Sequence, residues 1–482
     1  MAEIAVEPLE LESYLADGER RSPSQELSFP DQGQDLLPVD TGFAAYSYLF
    51  ANFVLELLVW SYAFSYAVFL PYYANVVFPH HANLSLLSLI GTLATGIMYM
   101  AALVVMRVCP RYPWIKRPMM LSGLFISTAA LVGAAFSTEP WQLLLTQGVV
   151  FSIGGSALYY PATSLLCAIF FLSSTLSELC RFEWFVERRG LVCFFPRCSP
   201  RIYSSQASGL ILSGTGIGGI VVPFMVNALL YKYGMRSTFL AMAGILCLCV
   251  LPILPFLKSR YPANRAASSR QAARINYSVF RSIPFWCLLL SNWMQSLGHS
   301  VPSLYLPAFA SDLHLSGTTG VLVLALLNGA SVPGRIFMGF CSDRFDLRIP
   351  MLLSCLGSAG AVFFLWGFTN STGLLVAFAL CYGFTGGGFS SMWPRFVSSI
   401  AKDDPHTSYF LMSTFYAGRG IAYIVSTPIS TGLLNTRSAW GSRSAHYAYG
   451  MKGYGVVIFF TGMILLGSGI GVASRSFGGA RR

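Results

Sequence analysis

The sequence predicts an all-α, polytopic membrane protein in which twelve transmembrane helices form two six-helix bundles. The prediction rests on the composition, on twelve apolar segments long enough to cross a bilayer, and on the distribution of basic residues between those segments. Hydrophobic residues make up 54% of the 482 residues, and charged residues make up only 11%. Soluble globular domains carry about 25% charged residues, so this chain is too apolar for water to be its main solvent.

Membrane thickness fixes the length of each span. The hydrocarbon core is roughly 30 Å thick, so a helix needs about 20 apolar residues to cross it. Only helices and closed barrels satisfy every backbone group inside it. The segments of this kind lie at 46–70, 85–106, 118–136, 142–172, 207–231, 237–257, 284–310, 317–340, 350–368, 373–394, 408–432 and 454–473. The fourth segment is too long for one straight helix.

The basic residues test this number of spans independently. With a cytoplasmic N-terminus, 24 of the 31 basic residues lie in cytoplasmic segments, 5 lie in outer loops, and Arg335 and Arg419 lie inside spans. This bias fits the positive-inside rule. We therefore expect a multi-pass integral membrane protein with both termini in the cytoplasm. We expect the plasma membrane, rather than a vacuolar or other internal membrane, as its location.

The charge pattern also divides the chain into domains. Residues 1–44 hold half of the 20 acidic residues and few apolar ones, which predicts a disordered acidic cytoplasmic tail. This tail lacks the basic and apolar pattern of a signal peptide. The other expected parts are an N-terminal six-helix bundle at 45–257, a basic cytoplasmic linker at 258–283, a C-terminal six-helix bundle at 284–474 and a cytoplasmic tail at 475–482. The linker, with six basic residues and no acidic one, fixes the topology or binds anionic lipid.

The motifs that indicate an enzyme or an ATP-driven pump are absent from the sequence. It contains no GxxxxGK[ST], no HExxH and no Cys and His cluster with metal-ligand spacing. The run from Gly214 to Gly219 matches the dinucleotide fingerprint, but it lies in an apolar helix-length segment, where Gly214 and Gly218 favour close helix packing. We therefore expect no enzyme activity, no cofactor, no metal and no nucleic-acid partner. The expected partners are a small-molecule substrate, either an organic anion or an amphipathic metabolite, and the lipid bilayer.

Ionisable residues inside the predicted spans are the first candidates for function. They are Glu56, His299, Arg335 and Arg419. A charge buried in a bilayer costs on the order of several kcal/mol unless it is paired or hydrated. Arg419 lies about eleven residues into its span, roughly 16 Å deep. An arginine there suits an organic anion, because the guanidinium stays charged and offers two donors to a carboxylate. Alternatively, Arg419 pairs with Glu56 or with carbonyl groups at a helix break.

The other candidates also have two interpretations each. Arg335 either reaches a central cavity or snorkels to the cytoplasmic interface. His299 either carries protons or is a core residue with satisfied hydrogen bonds. Glu56 either pairs with an arginine or takes a coupling proton. The polar side chains predicted to line the substrate site beside the two arginines are Tyr66, Asn292, His299 and Asn328.

Twelve spans, the six-plus-six division and Gly339-x-x-x-Asp343-Arg344 after the eighth span resemble the major facilitator superfamily. The resemblance implies that Gly339, Asp343 and Arg344 form a conformational latch by charge pairing. The corresponding loop of the first half, 107–117, lacks the aspartate. The chain is more closely similar to the fungal type of the monocarboxylate porter-like branch. The segments that carry this similarity include Tyr159–Ser164, Trp184–Leu191, Ala330–Arg335, Gly386–Ser391 and Gly418–Ile421.

This resemblance implies secondary active transport by alternating access, with a small organic anion such as a monocarboxylate as substrate and proton symport as one mode of coupling. It places Arg335 where related carboxylate carriers keep a substrate-binding arginine. The proton-linked lysine and the aspartate of those carriers fall at Leu70 and Ser331, so this chain has lost the usual place for the coupling proton. Two alternatives stay open, namely efflux of a larger amphipathic metabolite and a non-transporting nutrient sensor.

Two inserts, at about 167–181 and 192–206, interrupt a string that runs almost continuously in the related family. Deleting both would join Leu166 to Phe182 and Leu191 to Ala207, and it would shorten the fourth span. We interpret the inserts as retained introns in a gene prediction. The alternative is a real amphipathic elaboration on the cytoplasmic side.

Overall fold

A computed structural model describes the greater part of the chain. The described ranges are 43–79, 84–162, 200–257, 277–315, 317–401, 405–435, 449–450 and 453–473. All regular secondary structure in these ranges is helical, without a β-strand, which confirms the predicted all-α fold. The residues from Ser47 onward form one compact unit. The division into two six-helix bundles stays a prediction, and we use "halves" for the described residues up to 257 and from 277 onward.

Several predicted features lie outside the described residues. They are the insert at 167–181, the tail at 475–482, and most of the tail at 1–44, of the insert at 192–206 and of the linker at 258–283. For the second insert, the structure describes only the backbone of 200–206, as the beginning of a helix.

The N-terminal half contains six α-helices. They are α1 (Phe43–Phe64), α2 (Tyr66–Tyr72), α3 (Leu84–Arg111), α4 (Lys116–Ala135), α5 (Pro140–Ala162) and α6 (Pro200–Val250). A π-helix over Tyr73–Val77 follows α2, and α5 begins with Pro140–Leu143 and widens to a π-helix over Leu144–Val150. Short 3-10 helices cover Pro113–Ile115 and Leu254–Phe256.

The C-terminal half contains seven α-helices. They are α7 (Ile283–Asp312), α8 (Gly317–Arg344), α9 (Arg348–Gly360), α10 (Thr372–Gly387), α11 (Trp393–Ala401), α12 (Pro405–Asn435) and α13 (Gly455–Gly467). A π-helix over Ala361–Trp366 continues α9. The 3-10 helices of this half are Tyr277–Arg281, Gly388–Met392 and Ser468–Ala473.

Nine described helical segments are long and apolar enough to cross a membrane. They account for ten of the twelve predicted spans, because Gly214–Phe256 contains both the fifth and the sixth. The seventh and eleventh predicted spans form α7 and α12, helices of 30 and 31 residues. These two helices fall below that apolarity because they carry many buried polar residues, such as Gln295 and Ser413. The chain is a multi-pass integral membrane protein, and each of the twelve predicted spans has a helical counterpart among the described residues.

Gly234 separates the fifth span from the sixth inside α6. Its φ of 80° and ψ of 176° are not helical, and a positive φ of this size suits glycine because it has no Cβ. The break falls between Lys232 and Arg236, in the segment that the charge pattern predicts to be an outer loop. The sharp turn explains how two spans follow each other almost without a connecting loop.

Helices α3 and α12, one from each half, touch through their backbones. A Cβ atom added to Gly420 would lie 2.5 Å from the carbonyl oxygen of Gly96, and one added to Gly96 would lie 2.8 Å from the carbonyl oxygen of Gly420. About one turn from Gly96 in α3 and two turns from Gly420 in α12, the hydroxyls of Thr92 and Thr427 are 2.5 Å apart. Small residues thus allow the close approach that helix pairs in membranes commonly use.

The glycine run in α6 also packs helices, as the sequence predicted. A Cβ atom at Gly214 would lie 2.7 Å from the carbonyl oxygen of Phe53 in α1, and one at Gly218 would lie 2.8 Å from that of Leu57. Another face of the run meets the C-terminal half, where a Cβ atom at Gly219 would lie 2.7 Å from Cβ of Asn328 in α8. The run is therefore a packing motif between three helices.

We expect Gly420→Ala to destabilise the packing of α3 on α12, because its methyl group would meet the Gly96 carbonyl group at 2.5 Å. The free energy of unfolding should fall by about 1–3 kcal/mol, the usual cost of overpacking. The measurement is reversible unfolding of the purified protein in detergent. Gly432→Ala in the same helix is the matched control, because a Cβ atom there meets nothing within 4 Å. Equal stability of the two variants would contradict the close backbone contact.

Candidate functional site

A buried cavity lies between the two halves of the described chain. Its lining comes from α1, α6, α7, α8 and α12 and consists of Phe64, Thr215, His299, Ser303, Leu327, Asn328, Ser331, Arg335 and Arg419. The cavity volume is about 20 Å³, which is room for roughly one water molecule. A cavity of this size does not hold an organic molecule, so the two halves are packed closely around it in this conformation.

Four of the residues predicted from the sequence meet at this cavity. Arg335, Arg419, His299 and Asn328 all belong to its lining, although they come from three different helices. Charged and polar residues in otherwise apolar spans thus converge on one place.

Arg419 is enclosed by aromatic rings. Its side chain is only 5% exposed, and its Cζ atom lies 5.5 Å from the ring centre of Tyr99, 5.5 Å from that of Trp393 and 5.3 Å from that of Tyr423. Its Nη2 atom donates a hydrogen bond to the Tyr423 hydroxyl at 3.2 Å. The sequence left Glu56 and the carbonyl groups of a helix break as possible partners of Arg419. Neither accepts a hydrogen bond from Arg419 among the described contacts. Aromatic faces attract the cation instead.

The guanidinium groups of both arginines keep unused donors. The Nε and Nη1 atoms of Arg419 and the Nε atom of Arg335 donate no hydrogen bond to any described residue. Arg335 is half-buried and belongs to the cavity lining. Of the two interpretations from the sequence, the structure therefore agrees with a side chain that reaches the cavity and not with one that snorkels to the cytoplasmic interface. A buried donor without an acceptor is costly, so both groups are ready to accept an anionic partner.

His299 and Asn328 have partners of their own. The His299 ring stacks on Tyr382 at 5.8 Å with an interplanar angle of 12°, and its Nδ1 atom is 3.5 Å from the Tyr382 hydroxyl. The Asn328 Nδ2 atom donates to the carbonyl oxygen of Gly219 at 3.3 Å. Both side chains therefore border the cavity from fixed positions.

Tyr66 and Asn292, which the sequence also predicted as lining residues, lie outside the cavity lining. The Tyr66 hydroxyl donates to the carbonyl oxygen of Leu87, which ties α2 to α3. The Asn292 Nδ2 atom donates to the carbonyl oxygen of Phe415 at 2.9 Å, which ties α7 to α12. Both polar groups thus bind neighbouring backbone in this conformation.

Glu56 lies behind the cavity. Its side chain is 4% exposed, and its Oε1 atom accepts a hydrogen bond of 2.5 Å from the Thr215 hydroxyl. Thr215 itself belongs to the cavity lining. A single hydroxyl group therefore separates the carboxyl group from the cavity.

The predicted latch lies at the end of α8. A Cβ atom at Gly339 would lie 3.9 Å from Ser391, and the Arg344 Cζ atom lies 5.7 Å from the ring centre of Phe340. The side chain of Asp343, which the predicted charge pairing needs, is outside the part of the chain whose side chains are described. The latch therefore stays a prediction.

Sequence reasoning missed the aromatic wall that continues from Arg419. Tyr99 stacks on Tyr416 at 6.0 Å and on the other side lies 4.6 Å from Trp60. Tyr416 in turn meets Trp393 edge-on at 5.0 Å and Tyr160 at 6.2 Å. The sequence contains one indication of these aromatic contacts. Tyr423 follows Arg419 by one helical turn, which places both side chains on the same face of the helix.

Among the described residues, no group of three or more His, Cys, Asp or Glu side chains could hold a metal ion. The cavity lining offers guanidinium, imidazole, amide and hydroxyl groups beside apolar walls. These groups can bind and orient an anion by electrostatics and hydrogen bonds.

Comparisons with known proteins agree on a family. The model of the Major Facilitator Superfamily matches residues 193–427. "MFS-type transporter 1" of Ophiocordyceps sp. (strain BCC 1869) is 26% identical over 434 residues, which cover 89% of this chain and 87% of that protein. The "Fujikurins efflux protein" of Gibberella fujikuroi (strain CBS 195.34 / IMI 58289 / NRRL A-6831) is 23% identical over 97% of this chain and 92% of its own length.

A solved structure shares the fold. The "Crystal structure of peptide transporter POT in complex with sulfate" matches with a TM-score of 0.63 at 12% identity, over 91% of this chain and 96% of the other. At this identity the likeness shows the fold alone. The finer resemblance to the monocarboxylate porter-like branch stays a prediction.

We expect Tyr423→Phe to lower the free energy of unfolding by about 1–2 kcal/mol, because the Arg419 Nη2 donor loses its acceptor. Tyr423→Leu should cost about 0.5–2 kcal/mol more, because it also removes an aromatic face from the cation. The measurement is unfolding of the purified protein in detergent. Tyr233→Phe, at a ring that is 57% exposed, is the control and should be neutral. If Tyr423→Phe proved as stable as the control, the hydroxyl would have no role in holding Arg419.

Proposed function

We propose that the chain is a member of the major facilitator superfamily and a secondary active transporter of a small organic anion, with Arg335 and Arg419 as the anion-binding groups. The observation that carries the proposal is the pair of guanidinium groups with unused donors on one buried cavity. The solute would move by alternating access between the two halves of the chain.

Electrostatics favours an anion over a neutral solute at this place. A guanidinium in the membrane interior costs on the order of several kcal/mol unless it finds compensating partners. The described partners of Arg419 are aromatic faces and one hydroxyl group, which leave two of its donors unused. A carboxylate accepts such donors in pairs and supplies the missing charge. Anion binding would therefore offset the free-energy cost of burying these donors without acceptors.

The closed cavity suits one step of an alternating-access cycle. Its volume of about 20 Å³ holds no organic solute, so the halves must separate on one side before the solute enters. The contacts that would have to loosen include those of Gly96 with Gly420 and of Gly219 with Asn328, each of which joins the two halves. A solute drives such a change only through different affinities for the two conformations. Both arginines belong to the C-terminal half, so the placement of the halves changes their surroundings through N-terminal side chains such as Tyr99, which lies against Arg419.

A second candidate function is export of a larger amphipathic metabolite. Two observations favour it. One is the set of aromatic rings at this place, namely Phe64 in the cavity lining and Tyr99 and Trp393 around Arg419, and the other is the relative named as an efflux protein. Aromatic side chains offer wide apolar contact and suit a solute with a large hydrophobic part. The two candidates differ in whether transport depends on the arginines.

We expect Arg335→Gln and Arg419→Gln each to slow uptake of an organic anion in proteoliposomes by roughly 10–100-fold, because each removes a charge-assisted contact. The probes are labelled acetate, lactate and benzoate, each tested below saturation. Arg395→Gln is the control, because this arginine is exposed and lies outside the cavity lining.

Uptake that equals the wild-type rate in both arginine variants would contradict an anion site at this cavity. If those variants still move a fluorescent amphipathic amine out of vesicles, export of amphipathic metabolites becomes the better assignment.

A further inference from the structure

Glu56 is a carboxyl group with an unusual place in this protein. The described residues contain five acidic residues, and the other four, Glu139, Asp312, Asp343 and Asp346, lie in or next to loops between spans or at helix ends. Glu56 alone among these five lies in the interior of a span, in α1, where its side chain is 4% exposed. No described basic side chain forms an ion pair with it. An ionised carboxylate in such surroundings is expensive, and a proton removes the cost.

The Thr215 hydroxyl connects this carboxyl group to the cavity. It donates to Oε1 at 2.5 Å, and the threonine itself lines the cavity. A hydroxyl group can donate to a carboxylate and can equally accept from a carboxylic acid. The same contact therefore serves both protonation states, and a proton that enters the cavity needs to pass only one side chain.

Besides Thr215 of α6, the titratable groups that face Glu56 come from three other helices. Tyr99 of α3 and Tyr159 and Tyr160 of α5 contribute phenol groups, and Arg335 of α8 contributes a positive charge. Phenols ordinarily titrate near pH 10, so they are neutral at neutral pH. Arg335 is therefore the charged group among these four, and it belongs to the other half of the chain. Ionised Glu56 therefore acts electrostatically on Arg335, one of the two proposed anion-binding arginines.

We propose that Glu56 is the proton-binding site of this transporter and that one proton on Glu56 accompanies one monovalent anion on Arg335 and Arg419. The proposal rests on the proposed function and adds its coupling ion. When Glu56 is ionised, it attracts Arg335 and competes with the solute anion for that charge. When Glu56 is protonated, Arg335 is left to the anion, so the two ligands favour each other's binding by reciprocal linkage. The proton binds from water on one side and returns to water on the other.

The proton cannot bind at Leu70 or Ser331, the two positions at which related carriers keep their coupling lysine and aspartate. Leu70 is a buried apolar side chain at 1% exposure, and the Ser331 hydroxyl donates to the carbonyl oxygen of Asn328 at 2.6 Å. Neither side chain binds a proton in the pH range of a cell. Glu56 supplies a titratable group at a different place in the first span.

The first test needs no solute and is infrared spectroscopy of the purified full-length protein in lipid vesicles as the pH is lowered. We expect a band from a protonated buried carboxyl group that Glu56→Gln removes and the control Glu139→Gln retains. Glu56→Asp, which keeps a carboxyl group, should retain the band. An unchanged band in Glu56→Gln would overturn the proposal. If Glu56→Gln does not fold, Thr215→Val decides instead, since loss of the hydrogen bond must shift the band, and an unshifted band would place the protonated carboxyl elsewhere.

The second test uses labelled benzoate in proteoliposomes. We expect Glu56→Gln to reduce accumulation driven by a pH gradient by roughly tenfold, within the usual range of coupling free energies. Benzoate exchange at equal pH on both sides should persist in the same variant, which also shows that it is folded. Undiminished gradient-driven accumulation in Glu56→Gln would overturn the proposal. Failure of the wild type to move any of the organic anions would instead count against the proposed function, while the infrared result still decides the proton site.

Discussion

The packing at the centre of this protein depends on one constraint, namely the free-energy cost of burying guanidinium groups inside a membrane. Arg419 is 5% exposed and meets that cost with three aromatic faces and one tyrosine hydroxyl. Each cation–π contact contributes about 0.5–2 kcal/mol, so the rings stabilise the charge without using its hydrogen-bond donors. A charged group that is tolerated but incompletely satisfied can gain a ligand and lose it again, which reversible binding requires.

The partners of Arg419 also connect its stability to the arrangement of the helices. Tyr99 comes from α3 in the N-terminal half, whereas Trp393 and Tyr423 come from the C-terminal half. Stacking of Tyr99 on Tyr416 continues the same connection between the halves. Any motion that separates α3 from α12 removes one aromatic face from the cation. The position of the halves and the readiness of Arg419 for a ligand are therefore linked through the same side chains.

Hydropathy and charge were enough to predict the helices, including α7 and α12, whose polar residues place them below the apolarity of the other spans. Arg335 and Arg419 stood out in the sequence because a charge in an apolar segment is rare, and both line the cavity. Asn292 stands out equally in the sequence, yet it bonds to the backbone of α12, because periodicity alone does not say which neighbour a helix face meets. Tyr99 could not be predicted, since aromatic residues are common in every span and its contact with Arg419 exists only in the folded chain.

The crossing of α3 and α12 at Gly96 and Gly420 has a mechanical consequence. At this point the two main chains are in contact, and each glycine leaves a space that a side chain of the other helix fills. Ile424 of α12 lies against Gly96, and Met100 of α3 lies against Gly420. The crossing is therefore an interlocked joint, and sliding one helix along the other would have to withdraw both side chains from these spaces.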